Sequence, residues 1–175
     1  AEAVNNALAE KSITVLRRGE HGLRDLKRGE KVLFVNVFSD GFFTNSNLDI
    51  LIGALEAEGI SIDSLDNPTD SVLRDKLAHY DAVSVNICHV PMSGSFDQIG
   101  AGFAQSLWRI AHMYHDRVSY TCFGTPYVLH DLPHVPNMLL AYGASVSVQH
   151  AIAKVWTGKL EPVGVLPVQE SQVAY

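Results

Sequence analysis

The chain has 175 residues, 47% hydrophobic and 18% charged, which is enough for one well-buried core and short for two. Its formal charge of −6 is spread along the whole length without a basic stripe, so the phosphate-neutralising contacts that dominate nucleic-acid affinity have no source. No apolar run approaches the length that spans a bilayer, and the opening AEAVNNALAEKS has neither the basic nor the apolar region of a signal peptide, so the chain reads as soluble, with no membrane and no nucleic-acid partner. It begins without Met, as expected of a processed product or a piece of something longer.

Taken in order, VNNALAEKSITVLRR reads as a short helix running into a strand around Ile13 to Leu16, followed by the charged, Gly-punctuated loop RGEHGLRDLKRGE. KVLFVNVF, from Lys31 to Phe38, is a continuous apolar run of strand length, the kind that belongs to a sheet covered on both faces. In SNLDILIGALEAEG the residues Leu48, Leu51, Ile52 and Leu55 recur at helical spacing, and Gly59 closes the pattern. ISIDSLD is a short strand candidate, TDSVLRDKLAHY a helix capped by Thr69 or Asp70, and DAVSVNICHV, from Asp81 to Val90, the next apolar strand. SFDQIGAGFAQSLWRIAHMYH is a long helix, RVSYTCFG and NMLLAYG are strands, and SVSVQHAIAKVWTG is a helix closed by Gly158. Strand and helix alternate, with apolar β-runs. The pattern predicts an open, mostly parallel sheet sandwiched by helices, a flavodoxin-like three-layer α/β/α fold, with the runs beginning at Lys31, Asp81 and Arg117 as central parallel strands.

In such sheets ligands sit beyond the carboxyl ends of the strands. The loops there are FSDGFF, HVPMSGSF, FGTPYVLHDLP and YGAS. None holds a dinucleotide or P-loop signature; GAGFAQ, from Gly100 to Gln105, lies inside a helix pattern, and the serines at 93 and 95 fall short of a nucleophile elbow. No cofactor is expected. His112 and His115 share a helix face, but no carboxylate completes a ligand set, so no metal is expected either. His130 and His134 flank Asp131 in the Pro-rich loop, where sequence neighbours rarely face each other. His89, at the end of a strand, is the better site candidate, joined by the crevice carboxylates Asp40 and Asp97. Asp40 also suits a turn, and Asp97 the first turn of a helix. Cys88 and Cys122 lie in apolar runs without CxxC spacing and read as small buried hydrophobes.

One long stretch, YTCFGTPYVLHDLPHVPNMLLAYGASVSVQHAIAKVWTGKLEPVGVLPV, resembles the C-terminal domain of glycoside hydrolase family 3. That domain has a strand ending Phe-Gly-Ser/Asn-Pro-Tyr, a Pro-rich crossover, a strand ending Ala-Tyr, a helix with Gln and small residues, then Gly, Pro-x-Gly and Leu-Pro-Val. The matching positions include Phe123, Gly124, Pro126, Tyr127, Ala141, Tyr142, Gln149, Gly158, Pro162, Gly164, Leu166, Pro167 and Val168, with Thr125 at the Ser/Asn position and Val165 where a lysine is common. LAEKSITVLRR is similar to the family's lead-in to the same domain, so the resemblance covers nearly all of residues 1–175 as one domain.

The resemblance implies an N-terminal (β/α)8 barrel in the same polypeptide. That barrel, absent from these residues, would carry the aspartate nucleophile and most of the sugar pocket. It implies a carbohydrate substrate at the interface of the two domains, with Thr125 and Tyr127 joining Asp40, His89 and Asp97 as substrate-binding candidates. HVPMSGSFDQIG lacks the glutamate acid of the β-glucosidase branch, which resembles the β-N-acetylhexosaminidase branch, where the second domain is non-catalytic. No catalytic residue is therefore expected here, and the chain alone is expected to be inactive, in a bacterial cytoplasm or cell envelope. The alternative is a free-standing module that binds a small ligand or serves assembly. Phe42, Phe43, Met92 and Phe96, apolar residues in otherwise polar loops, are expected on a docking face or in a satellite core.

Overall fold

A computed structural model describes residues 1–20, 23–38, 47–88, 101–133 and 135–168. The elements are helix α1 (Glu2–Ser12), strand β1 (Thr14–Arg17), β2 (Lys31–Phe38), α2 (Asp49–Ala57), β3 (Ser61–Asp66), α3 (Asp70–Leu77), β4 (Ala82–Cys88), α4 (Ala101–Met113), β5 (Val118–Cys122), a 3-10 turn (Pro126–His130), β6 (Met138–Leu140) and α5 (Val146–Trp156). The strands form one six-stranded sheet in the order β1-β6-β5-β4-β2-β3. Every pairing from β6 to β3 is parallel, and β1 alone runs antiparallel, against β6. The runs beginning at Lys31, Asp81 and Arg117 are thus β2, β4 and β5, central and parallel as their composition predicts.

The continuous apolar runs follow from cores on both faces. Leu33, Val35, Val83, Val85, Ile87 and Tyr120 pack with Leu73 and Leu77 of α3 and Leu107 and Ile110 of α4. Their strand neighbours Val32, Phe34, Ala82 and Cys88 point the other way, against α1, α2 and α5 through Ala9, Leu51, Leu55, Ile152 and Trp156. With successive side chains on opposite faces, a strand covered twice has no wet position and carries no alternation. All seven residues of β4 and all five of β5 are buried.

The sheet margins are managed differently. At one margin the C-terminal stretch returns to β1, where Gly164 bridges to Thr14 and its N–H donates to the Ile13 carbonyl at 2.9 Å. At the other, β3 is mostly exposed and carries Asp63 and Asp66, charges that discourage pairing with a further strand. The helix stops expected at Gly59 and Gly158 are in place, with φ of +82° and +68°. NMLLAYG is a strand only from Met138 to Leu140, because Tyr142 takes a φ of +59° and turns the chain away. The proline-rich stretch after β5 folds into the 3-10 turn, which exposes few backbone donors. Cys88 and Cys122 are buried and unbridged. Among the described residues no helix is long and apolar enough to cross a membrane.

Candidate functional site at the carboxyl ends of the strands

The strand order decides where a crevice can form. From β2 the chain moves outward to β3, and from β4 it moves the opposite way, to β5 and β6. The helices that follow lie on opposite faces, since α2 packs with α5 while α4 packs with α3 over the other core. The strand order and the helix faces thus change sense between β2 and β4, which is the topological switch point at which open α/β sheets bind ligands. The last residues of the two strands, Phe38 and Cys88, are register partners. Asp40 follows Phe38 by two residues and His89 follows Cys88 directly in the chain, and Asp97 comes eight residues after His89. Asp40, His89 and Asp97 lie outside the described residues, as do Phe42, Phe43, Met92 and Phe96.

Thr125 and Tyr127 are described, beyond the end of β5. Thr125 has extended backbone and caps the 3-10 turn, its Oγ1 accepting the Tyr127 N–H at 3.3 Å, with Pro126 in the first position, where a missing N–H costs nothing. The cap fixes the direction of Tyr127, whose side chain stands 48% exposed and meets the His130 ring edge-on at 6.0 Å. A half-free phenol with one apolar face is suited to a ligand that presents both hydroxyls and C–H edges. The Thr125 carbonyl accepts from the Cys122 thiol, and Cys122 Sγ accepts the Gly124 N–H, so the strand end is tied before the turn begins. Burial pushes the Cys122 thiol up to about 12 and raises Cys88 as well, so neither supplies a thiolate nucleophile at neutral pH.

Tyr142, two residues beyond β6, takes a left-handed conformation that costs a non-glycine residue about 1 kcal/mol, and its hydroxyl meets Thr14 Oγ1 at 3.3 Å. Beneath the switch point runs a polar ladder that sequence reasoning missed. Asn86 of β4 donates to Asn36 of β2, and Asn36 donates to Ser64 and Asp66 of β3, each at 2.8 Å. A signal was present in FVNVF and SVNIC, each of which places one asparagine among the apolar residues of a strand. Among the described residues no group of three or more His, Cys, Asp or Glu could hold a metal ion.

No protein-family model matches the chain, and no curated protein is significantly similar to it. Solved structures do share its fold. A glycoside hydrolase family 3 β-N-acetylglucosaminidase from Paenibacillus sp. str. FPU-7 superposes with a TM-score of 0.73 at 23% identity, over 93% of this chain and 31% of that one. The β-glucoside phosphorylase BglX gives 0.72 at 19% identity, over 94% and 31%. β-Glucosidase 3B from Thermotoga neapolitana, in complex with glucose, gives 0.63 at 14% identity, over 92% and 29%. The chain thus spans under a third of the length of these proteins and has the fold of one region of each.

Proposed function

We propose that this chain is the C-terminal α/β domain of a family 3 glycoside hydrolase acting on β-N-acetylhexosaminides, and that it supports a catalytic (β/α)8 barrel in the same polypeptide and edges the sugar site. The observation that carries the reading is the near-complete superposition of this chain on less than a third of the Paenibacillus β-N-acetylglucosaminidase. The family motif from Phe123 to Tyr127 falls at the strand end where a ligand would lie, and supports the reading independently. The choice of branch rests on HVPMSGSFDQIG, which has no glutamate to serve as a general acid. One of the proteins sharing the fold is a phosphorylase, so this domain does not by itself choose between water and phosphate as acceptor.

In this reading glycoside cleavage takes its nucleophile from the barrel, because the reaction generally needs two carboxyl groups a fixed distance apart on either side of the bond. The loops after β2 and β4 contribute only Asp40 and Asp97 as acidic residues. These two, His89, Thr125 and the exposed ring of Tyr127 orient the sugar and exclude water rather than transfer a proton. The test is hydrolysis of an aryl N-acetyl-β-glucosaminide by this chain alone and by the longer polypeptide that contains it. Turnover by the longer polypeptide, none by the chain, and a raised KM in Tyr127→Ala are expected. Turnover by the isolated chain, abolished in Asp40→Asn or Asp97→Asn, overturns the supporting role. A full-length polypeptide that lacks a barrel and cleaves no glycoside would favour the free-standing binding module.

A further inference from the structure

The first turn of α2 lacks a side-chain cap of its own. Leu48 stands in the capping position and offers no polar acceptor, so the early N–H groups of the helix need partners from elsewhere. Gln149, near the start of α5, supplies one: its Oε1 accepts the Leu51 N–H at 3.0 Å. The other end of the same amide also goes to main chain, its Nε2 donating to the Asn47 carbonyl at 3.0 Å and to the Ala144 carbonyl at 2.8 Å. Gln149 is 3% exposed, so these bonds form largely out of competition with water. Its partners are distant in sequence and meet at one end of the sheet. Asn47 and Leu51 belong to the entry of α2, which ends just before β3 and so has its first turn toward the carboxyl ends of the parallel strands. Ala144 lies between β6 and α5, on the segment that leaves the carboxyl end of β6. One buried amide therefore ties segments that follow β2 and β6, strands with β4 and β5 between them.

Two residues before Ala144 stands Tyr142, whose φ of +59° is a conformation that a bulky side chain keeps only when its surroundings force it. Those surroundings are Gln149, bonded to the Ala144 carbonyl, and Thr14, whose Oγ1 meets the Tyr142 hydroxyl. The ring is nonetheless 39% exposed, so the strained backbone does not serve to bury it fully. It leaves a partly wet aromatic ring beyond the end of β6, just as Tyr127 stands partly wet beyond the end of β5, the neighbouring strand.

We propose that Tyr142 is a second aromatic contact of the sugar site, alongside Tyr127, and that Gln149 is the positioning residue that holds it there by fixing Ala144 to the first turn of α2. A tyrosine offers a pyranose an aromatic face for its C–H edges and a hydroxyl for its hydroxyls. Gln149 is buried and acts through the backbone it holds. That the ring meets a sugar rests on the function proposed above, whereas the latch rests on the hydrogen bonds of Gln149 alone.

Hydrogen exchange in this chain reads the latch, and hydrolysis of an aryl N-acetyl-β-glucosaminide by the longer polypeptide reads its consequence. Gln149→Met keeps the length of the side chain and removes its hydrogen bonds, so the Leu51 amide is expected to exchange about tenfold faster while the amides of β4 keep their protection. Tyr142→Asn removes the ring and keeps a residue that tolerates left-handed backbone. In the longer polypeptide both substitutions should raise KM about tenfold at unchanged kcat, since they remove binding and leave the reacting groups alone. Tyr142→Phe, which retains the ring, should recover most of that loss. Unchanged Leu51 exchange in Gln149→Met, unchanged KM in either variant, or a fall in kcat alone overturns the proposal and leaves the proposed function standing. If Gln149→Met does not fold, Gln149→Asn, with a shorter side chain, takes its place in both measurements. A longer polypeptide that cleaves no glycoside with every residue intact overturns the proposed function and the role of Tyr142 together, and the Leu51 exchange alone then decides the latch.

Discussion

Asn86 donates its side-chain amide to the Asn36 Oδ1 at 3.0 Å, joining the two central strands on either side of the switch point. Both residues are almost wholly buried, and the Ser84 hydroxyl donates to Asn86 Oδ1 at 3.3 Å. A half-satisfied network is worse than none, because each orphaned group keeps its full desolvation penalty. Asn86→Leu is therefore expected to cost about 1–3 kcal/mol, read as a lower denaturant midpoint at unchanged slope. Asn36→Leu combined with Asn86→Leu should cost less than the sum of the single changes, since the second removes an already orphaned partner. Additive losses would show that the two amides are not coupled.

Gly164 is held by the backbone it touches. A Cβ at this position would stand 2.6 Å or less from the Ser12 carbonyl, the Ile13 carbonyl and Thr14 Oγ1, none of which is the free end of a flexible chain. Gly164→Ala is expected to release the C-terminal stretch from β1. Hydrogen exchange at the 164 amide, which donates to Ile13, should speed up while the amides of β4 keep their protection. Unchanged exchange at that amide would mean that β1 yields instead.

Trp156 tests the second core. Its indole N–H donates to Thr121 Oγ1 at 3.0 Å, with both residues essentially without solvent contact. Trp156→Phe orphans the hydroxyl and leaves unfilled volume, and is expected to cost at least about 1–3 kcal/mol by urea denaturation. Thr121→Val, which orphans only the indole, should lose less. A larger loss in Thr121→Val would place the cost in the hydrogen bond rather than in the packing.

Asp70 ties α3 to α4. The Ser106 hydroxyl donates to its Oδ1 at 2.8 Å, and Arg109 reaches both carboxylate oxygens at 2.9 and 3.1 Å; Arg74, one turn along α3, also pairs with it. The Ser106 bond first, then Arg74, hold its carboxyl below the usual 3.8. The unfolded chain then binds the proton more readily than the folded one, so this contribution to stability is complete above that ordinary value and is lost as pH falls through the folded one. Asp70→Asn should be less stable than the parent at neutral pH, with the gap closing on acidification. A gap that stays constant down to the lowest pH at which both remain folded would assign it to packing.

The fold is legible in the sequence because its strongest signals are local and redundant. KVLFVNVF and DAVSVNICHV are apolar at successive positions, which only a sheet covered on both faces requires, and Gly59 and Gly158 mark helix ends with backbone that glycine takes at no cost. The candidate site is legible in part. Thr125 and Tyr127 stand out by motif, and their cap geometry explains why a β-branched hydroxyl residue and a proline precede an exposed ring. The ladder through Asn36 and Asn86 escapes such a reading, because its members lie fifty residues apart in the chain and an asparagine in an apolar run has no unique local meaning. Tyr142 reads as the continuation of a strand, since nothing in LLAYG announces a left-handed residue.

By itself the sequence determined the class of fold, the alternation of strands and helices, and which residues face inward, because these follow from periodicity and from the cost of wetting apolar side chains. Tertiary structure alone decided the strand order, and with it the topological switch point between β2 and β4. It likewise decided that Trp156 is buried while Trp108 is half exposed, and that Gly164 closes the margin at β1. Those outcomes depend on which distant segments meet. A contact between residues far apart in the chain is chosen by the free energy of the whole packed core, and no local stretch of sequence carries it.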